Sequence, residues 1–289
     1  MHDIEHFKYA DGVSQPLYLS DDKVAAPHHL RDVALGAVEL VLLPDPLGTQ
    51  PNSFGSFLVF RKLQQDVACF KNEEKALAGP QGLNLDNAER AGAMLVGRFE
   101  NGTPVTLRAN DGAGPGEGGR FFTNDFTYGP DPEGKRCPFH AHTRKMNPRG
   151  ETGDPQDPQE LRHRITRRGV PYGEEPADEL VPDGKERGLL FVCYQRNIGQ
   201  QFEFLQQAWA NNARFLRPVA KTGPDTGLDP VIGQGPRFTA LTFAQQWRPV
   251  PDDGAPTAKA GFAPHVNLRG GEYFYAPSLS GLAALAKGH

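Results

Sequence analysis

The sequence predicts an α+β fold, an antiparallel sheet with helices packed on one face. Three observations lead there. Strand-like and helix-like segments alternate loosely, separated by long excursions. The 33 glycines and 26 prolines are about one in five of the 289 residues, against an average nearer one in eight. That density excludes a helical bundle or coiled coil, and no internal period marks a solenoid. Hydrophobic residues make up 38% and phenylalanine numbers 18, which suits a folded core rather than a disordered chain. Loops this long point to a ligand or a partner.

Along the chain, Asp11-Gly12 is a turn signal and Pro16 bars a helix interior. Residues 33–43 (VALGAVELVLL) read as a buried strand, followed by the proline-rich loop PDPLGTQPNSFG. Ser56 to Phe60 reads as a second strand, and Gln64 to Ala78 as a helix with Val67, Phe70 and Leu77 among its apolar positions. Leu85 to Val96 repeats helical spacing through Leu85, Ala88, Gly92 and Leu95. Residues 100–135 read as loop, and GAGPGEGG (112–119) lacks the flanking strand and Lys-Ser/Thr of a phosphate loop. Pro138 to Met146 forms a short helix with proline in its first turn, ended by Asn147-Pro148. His163 to Gly173 is a short strand entering a turn, and Gly188 to Tyr194 (GLLFVCY) is the clearest buried strand. Gln200 to Asn212 reads as a helix. The rest is Gly/Pro-rich until a final strand, Gly271 to Pro277, and a closing helix, Leu279 to Ala286.

Composition narrows the partners. The net charge of −4 and the lack of a basic run with interleaved aromatics argue against nucleic acid. No apolar run reaches the roughly 18–20 residues a membrane span needs. The first dozen residues lack a basic region followed by an apolar one, and three widely spaced cysteines (Cys69, Cys137, Cys193) suit a reducing compartment. Together these predict a cytoplasmic protein.

Chemistry-bearing residues crowd one region. His140 and His142 flank Ala141 beside Cys137, but no further ligands follow at zinc spacing. Arg144, Lys145, Arg149, Arg162, Arg164, Arg167 and Arg168 lie close by. They read either as a solvated basic face or as a site for an anionic ligand. Asp11 alone reads as a turn aspartate. The letters by themselves lead to an α+β domain with a basic, histidine-containing site.

Several phrases together carry more. YADGVSQP, FGSFLVFRKLQQDV, DPEGKRCPFHAHTRKMNPR, HRITRRGVPYG, ERGLLFVCYQ, QFEFLQQAWAN, GLDPVIGQ and GGEYFYAPSLS occur in order along the chain. The set resembles the C-terminal, haem-binding part of the dye-decolourising (DyP-type) peroxidases. The resemblance implies a single domain over 1–289 with a ferredoxin-like α+β fold, holding haem b. It implies a peroxidase that uses hydrogen peroxide to oxidise dyes, phenols or other organic electron donors. By it, His142 would be the iron ligand, and Asp229 would be the carboxylate that takes the ring's other N–H. Asp11 would shuttle a proton on bound peroxide. Arg167, with Arg168 and Arg164 as competitors, would stabilise developing charge. Arg149 would hold a haem propionate, and Phe191 would wall the haem pocket. His140 has no match and reads as a surface or hydrogen-bonded histidine. Trp209 and Tyr194 read as core packing or as electron relays.

Two departures stand out. The family motif has glycine three residues before the aspartate, where this chain has Lys8. Family members also carry a further N-terminal half before the motif, so a sheet face is expected to need cover. This predicts self-association or a complex with a separate N-terminal-half chain. The alternative is a non-catalytic, partner-dependent haem-binding subunit.

Overall fold

The computed structural model describes residues 4–9, 38–80, 82–85, 87–110, 124, 126–151, 157–216, 225–234, 244–247 and 257–288. Asp11 and the glycine-rich stretch 112–119 lie outside them. The centre of the fold is an antiparallel sheet. Its strands are β1 (Leu43–Pro44), β2 (Phe54–Gln65), β3 (Thr166–Arg167), β4 (Val170–Tyr172), β5 (Gly188–Gln195) and, later in the chain, β8 (Val266–Ala276). Two further strands, β6 (Ala244–Trp247) and β7 (Thr257–Gly261), form a separate antiparallel pair. The long strand β2 lies between β5 and β8, and β5 carries β3 and β4 in succession on its other edge.

Register decides what faces where, because successive side chains alternate faces. Val59 pairs with Cys193 and Tyr273, and Arg61 pairs with Phe191. That face is covered: Val59, Cys193 and Gln195 are fully buried. The cover is a π-helical run in two segments, Gly199–Glu203 and Leu205–Ala210. Phe202 meets Phe191 and Tyr273 at ring-centroid distances of 6.1 and 6.3 Å, and the Tyr273 hydroxyl donates to Glu203 at 2.9 Å. The opposite face aligns Leu58 with Tyr194 and Phe274, and Phe60 with Val192. It carries the apolar Leu58, Phe60, Val192 and Phe274 together with Lys62, Glu272 and Arg168, and it is half open, with Phe274 50% exposed.

The helices form where local signals agree. Helix α1 (Val67–Ala78) starts at Asp66, whose carboxylate accepts the Cys69 N–H, and buries Val67, Phe70 and Leu77. Helix α2 (Ala88–Val96) starts at Asn87 and ends at Gly97, which adopts φ +95°. The two pack together around Phe70, Leu77, Met94 and Leu95, and Phe7 stacks on Phe70 at 4.0 Å. Two short helices follow, α3 (His142–Met146) and α4 (Pro158–Leu161), and α5 (Leu279–Ala286) closes the chain.

The reading of 33–43 as a buried strand is corrected. Its described part makes a 3₁₀ turn at Val38–Leu40, leaves Leu42 exposed, and joins the sheet only at Leu43–Pro44. Pro44 and Pro46 lack the N–H that a ladder needs, so pairing cannot run on through this segment. The β6–β7 pair falls in the Gly/Pro-rich stretch that showed no strand signal.

Asp45 ties the closing helix to the sheet. Its carboxylate accepts from the Ser278 hydroxyl (2.6 Å) and N–H (2.8 Å), from Tyr275 Oη (3.0 Å) and from the Leu47 N–H (3.0 Å). These bonds, the Ser278 hydroxyl foremost, pull its pKa down to about 2. A carboxyl depressed on folding stabilises above its unfolded pKa and loses that contribution as pH falls through the folded one. The protection factors of the α5 amides, corrected for intrinsic exchange, are therefore expected to fall between about pH 4 and pH 2, and Asp45→Asn should remove that dependence. Gly97→Ala is expected to cost about 1–2 kcal/mol in urea unfolding, because the position is left-handed and a Cβ there would collide with Thr143 Oγ1.

Candidate functional site

A five-residue helix is too short to hold itself together in water, so α3 must be fixed from outside. Two buried cations do this. Arg144 is 0% exposed. Its guanidinium donates to Asp131 Oδ2 (3.0 Å), to the Asp131 carbonyl (2.8 Å) and to both carboxylate oxygens of Glu151 (2.9 Å each). It also lies over the rings of Phe139 and Tyr128 at 4.4 and 4.6 Å. Asp131 meanwhile accepts the N–H groups of Lys135 and Cys137. Lys145, equally buried, donates from Nζ to the carbonyls of Asn212 (2.7 Å) and Trp209 (3.2 Å) at the end of the π-helical run. Burial pulls its pKa down to about 8, and Asp229 partly opposes that shift.

His142 opens this helix. Its Nδ1 meets Asp229 Oδ2 at 2.8 Å. Asp229 is fully buried, and its other oxygen accepts the N–H groups of Val231 (2.8 Å) and Ile232 (3.0 Å). With Nδ1 committed, Nε2 is the ring nitrogen left to ligate, and 26% of the side chain is exposed. A histidine oriented by a buried carboxylate through one ring nitrogen, which leaves the other to bind, is the usual arrangement of a metal-ligating imidazole. Arg144 and Lys145, read from the sequence as part of a basic face or an anion site, are neither. They are buried anchors, legible only once Asp131 and Glu151 are seen to converge on them. Arg162 and Arg168 are exposed.

The sheet separates the candidate arginines. β3 and β4 keep one register on β5: Arg167 lies opposite Cys193, and the Arg168 N–H donates to the Val192 carbonyl at 2.7 Å. Arg167 thus shares the face of Phe191, while Arg168 falls on the other. Arg164 is tied to Asn147 Oδ1 at 3.0 Å. Arg149 is buried, with Nη1 donating to the carbonyls of Asn124 (2.6 Å) and Phe126 (3.3 Å) and its guanidinium stacked on the Phe126 ring at 4.3 Å.

His140 is fully buried and not on the surface, and burial holds its pKa well below the usual value. Trp209 is buried in an aromatic stack with Phe215 at 4.8 Å. Lys8 adopts φ +77°, in the region glycine enters freely, and its Nζ pairs with Glu175 at 3.0 Å.

The family model "Dyp-type peroxidase, C-terminal" matches residues 96–221. The chain is 45% identical to the multifunctional dye peroxidase DyP2 of Amycolatopsis sp. (strain ATCC 39116 / 75iv2), over 98% of this chain and 61% of that protein. It is 35% identical to the dye-decolorizing peroxidase AauDyP1 of Auricularia auricula-judae, over 96% and 55%. The solved structure of the Amycolatopsis DyP2 superposes with a TM-score of 0.82 at 42% identity, covering 96% of this chain and 60% of that one. The chain belongs to the DyP-type peroxidase family and has its ferredoxin-like α+β architecture. It spans about three-fifths of the length of these relatives.

Lys8→Gly is expected to keep or raise stability by up to ~1 kcal/mol, since it relieves a left-handed lysine and loses only an exposed ion pair. Lys8→Val, β-branched at the same φ, should lose ~1–2 kcal/mol. Urea midpoints of the two variants measure the difference.

Proposed function

We propose that the chain is the haem b-binding part of a peroxidase that uses hydrogen peroxide to oxidise dyes, phenols or similar organic donors. The observation that carries this reading is the His142–Asp229 pair at 2.8 Å, with Nε2 left to ligate and the carboxylate anchored by two further N–H groups. The donor set fits haem iron, which takes an axial imidazole, better than zinc, since no cluster of three potential metal ligands includes His142 among the described residues. When bound, haem supplies the redox chemistry that peroxide cleavage needs.

The chain's own residues supply the rest. His142 would hold the iron through Nε2. Asp229 would fix the ring's tautomer and orientation and increase its electron donation. Arg167, on the sheet face of Phe191, would stabilise negative charge developing on a peroxide oxygen. Asp11 would accept a proton from one peroxide oxygen and return it to the other, directly or through water. Phe191 would wall the pocket and exclude water, and Arg149 would engage a propionate.

The same reading extends to partners. The relatives are longer than this chain, and the sheet face bearing Phe60, Val192 and Phe274 leaves apolar side chains half open. We infer that a second copy or a separate polypeptide resembling the relatives' remaining part covers it. The chain has no helix, among its described residues, long and apolar enough to cross a membrane. A cytoplasmic location follows the cysteine usage.

Haem-loaded protein is expected to show a Soret band that His142→Ala abolishes. Asp229→Asn should keep the band and raise the ferric–ferrous midpoint potential. It should also reduce peroxide-dependent bleaching of an anthraquinone dye by about 10–100-fold. A wild-type chain that takes up no haem overturns the proposal. Stable haem uptake without dye turnover, with and without a co-expressed N-terminal half, would favour a non-catalytic subunit instead.

A further inference from the structure

Two buried charges at the candidate site belong to no ion pair between a lysine or arginine and a carboxylate. Arg144 meets the carboxylates of Asp131 and Glu151. Lys145, the next residue, meets no carboxylate among the described residues. Its Nζ donates instead to the carbonyls of Asn212 at 2.7 Å and Trp209 at 3.2 Å. Asp229 is the mirror case. Its oxygens meet His142 Nδ1 and accept the N–H groups of Val231 and Ile232, and no lysine or arginine bonds it among the described residues. Both side chains are 0% exposed. A buried charge without a counter-charge is costly.

The two are docked on one four-residue stretch, 209–212, at the end of the π-helical run. The carbonyls of Trp209 and Asn212 hold the ammonium, and the carbonyl of Ala210, between them in sequence, accepts the Asp229 N–H at 3.0 Å. From the other side, Lys145 lies three residues after His142 in α3, so the two share a side of the helix. The ammonium and the carboxylate are neighbours that do not touch, and Asp229 is the charge that supports Lys145 against burial. An ammonium bonded directly to Asp229 Oδ2 would compete with His142 for that oxygen. Held off by backbone carbonyls, it offsets the carboxylate's charge and leaves the oxygens to the imidazole.

We propose that Lys145 is a positioning residue of the candidate site: a buried counter-charge, fixed on the carbonyls of Trp209 and Asn212, that acts through Asp229 to limit how strongly the His142 imidazole donates to bound iron. Arg144 does not share this task, since Asp131 and Glu151 already meet its charge. His140 is the other buried titratable group that feels the ammonium. Burial first, and then the Lys145 charge, hold its pKa well below the usual value, so it adds no second cation. The effect on iron rests on the haem reading; the pairing of the two charges does not.

Two measurements separate them. In the whole chain without haem, NMR of lysine labelled with ¹³C at Cε follows the Lys145 ammonium, assigned by its loss in Lys145→Gln. Its titration midpoint is expected at about 8, and at lower pH in Asp229→Asn, which removes the carboxylate that favours the charged form. In haem-loaded protein, Lys145→Gln keeps a donor for the two carbonyls and removes the charge. Its ferric–ferrous midpoint potential should fall below the wild-type value, opposite in sign to Asp229→Asn. Lys145→Arg, which keeps the charge, should stay near the wild type. In the Asp229→Asn background the Lys145→Gln shift should shrink by about twofold or more. Circular dichroism checks that each variant is folded. A Lys145 titration that Asp229→Asn leaves in place overturns the charge pairing, whether or not haem binds and whether or not Lys145→Gln folds. A folded Lys145→Gln protein with an unchanged or higher potential overturns the effect on iron, as does a shift of equal size in both backgrounds. A wild-type chain that takes up no haem sinks the haem reading and not the pairing, which the titration decides.

Discussion

The candidate site depends on holding one very short helix in place. Helix α3 makes barely one turn, and its cap, Ala141, offers no side-chain oxygen to its N–H groups. Nothing local keeps it helical. Arg144 and Lys145 fix it by reaching in opposite directions, to the 131–151 loop and to the end of the π-helical run. Each is fully buried, and removing one partner of a buried charge costs far more than the pair itself is worth. The arrangement therefore tolerates little movement. His142, within one turn of both, inherits that rigidity, and Asp229 meets it already oriented by Val231 and Ile232.

The sheet contributes a different constraint, which is parity. Because β3, β4 and β5 share one unbroken register, moving a residue by one position sends its side chain through the sheet. That is why Arg167 and Arg168, adjacent and chemically identical, are not interchangeable. Gly169, continuing the register, comes opposite Phe191, so no β3–β4 side chain covers that ring from directly across the ladder.

Legibility in the sequence followed the range of the forces. Strands β2 and β5 and helices α1 and α2 were readable because their apolar period is local, although the readings began the helices at Gln64 and Leu85, ahead of the caps Asp66 and Asn87. The β6–β7 pair was not, since AQQW and TAKAG show no apolar alternation. The run at 33–43 misled because composition favours a strand while Pro44 and Pro46 deny it a ladder. The site divides the same way. His142 stood out as a histidine beside a basic run, but nothing in the spacing links it to Asp229, 87 residues on. Only the family resemblance paired them. Arg144 was counted with exposed arginines because burial by distant carboxylates leaves no mark on the neighbouring letters. Lys8 was a different case: the sequence marked it only as lysine in place of a motif glycine, and the φ of +77° that the backbone adopts there came from the structure.

The same parity that sorts the arginines also separates two tasks of the sheet. One face, through Val59, Cys193 and Gln195, is closed by the π-helical run, whose end is bound to the His142 helix by Lys145. The other face, through Leu58, Phe60, Val192 and Phe274, makes no part of that chain of contacts. An apolar surface there is driven to associate, and whatever covers it approaches from the side away from Arg167 and Phe191. Covering one face therefore does not require rearranging the other. Side chains on the two faces connect only through the backbone of β2, β5 and β8, which is held in register along almost its whole length. A chain built this way can keep its histidine–carboxylate pair in place whether its open face meets a second copy, a separate polypeptide or more of its own sequence.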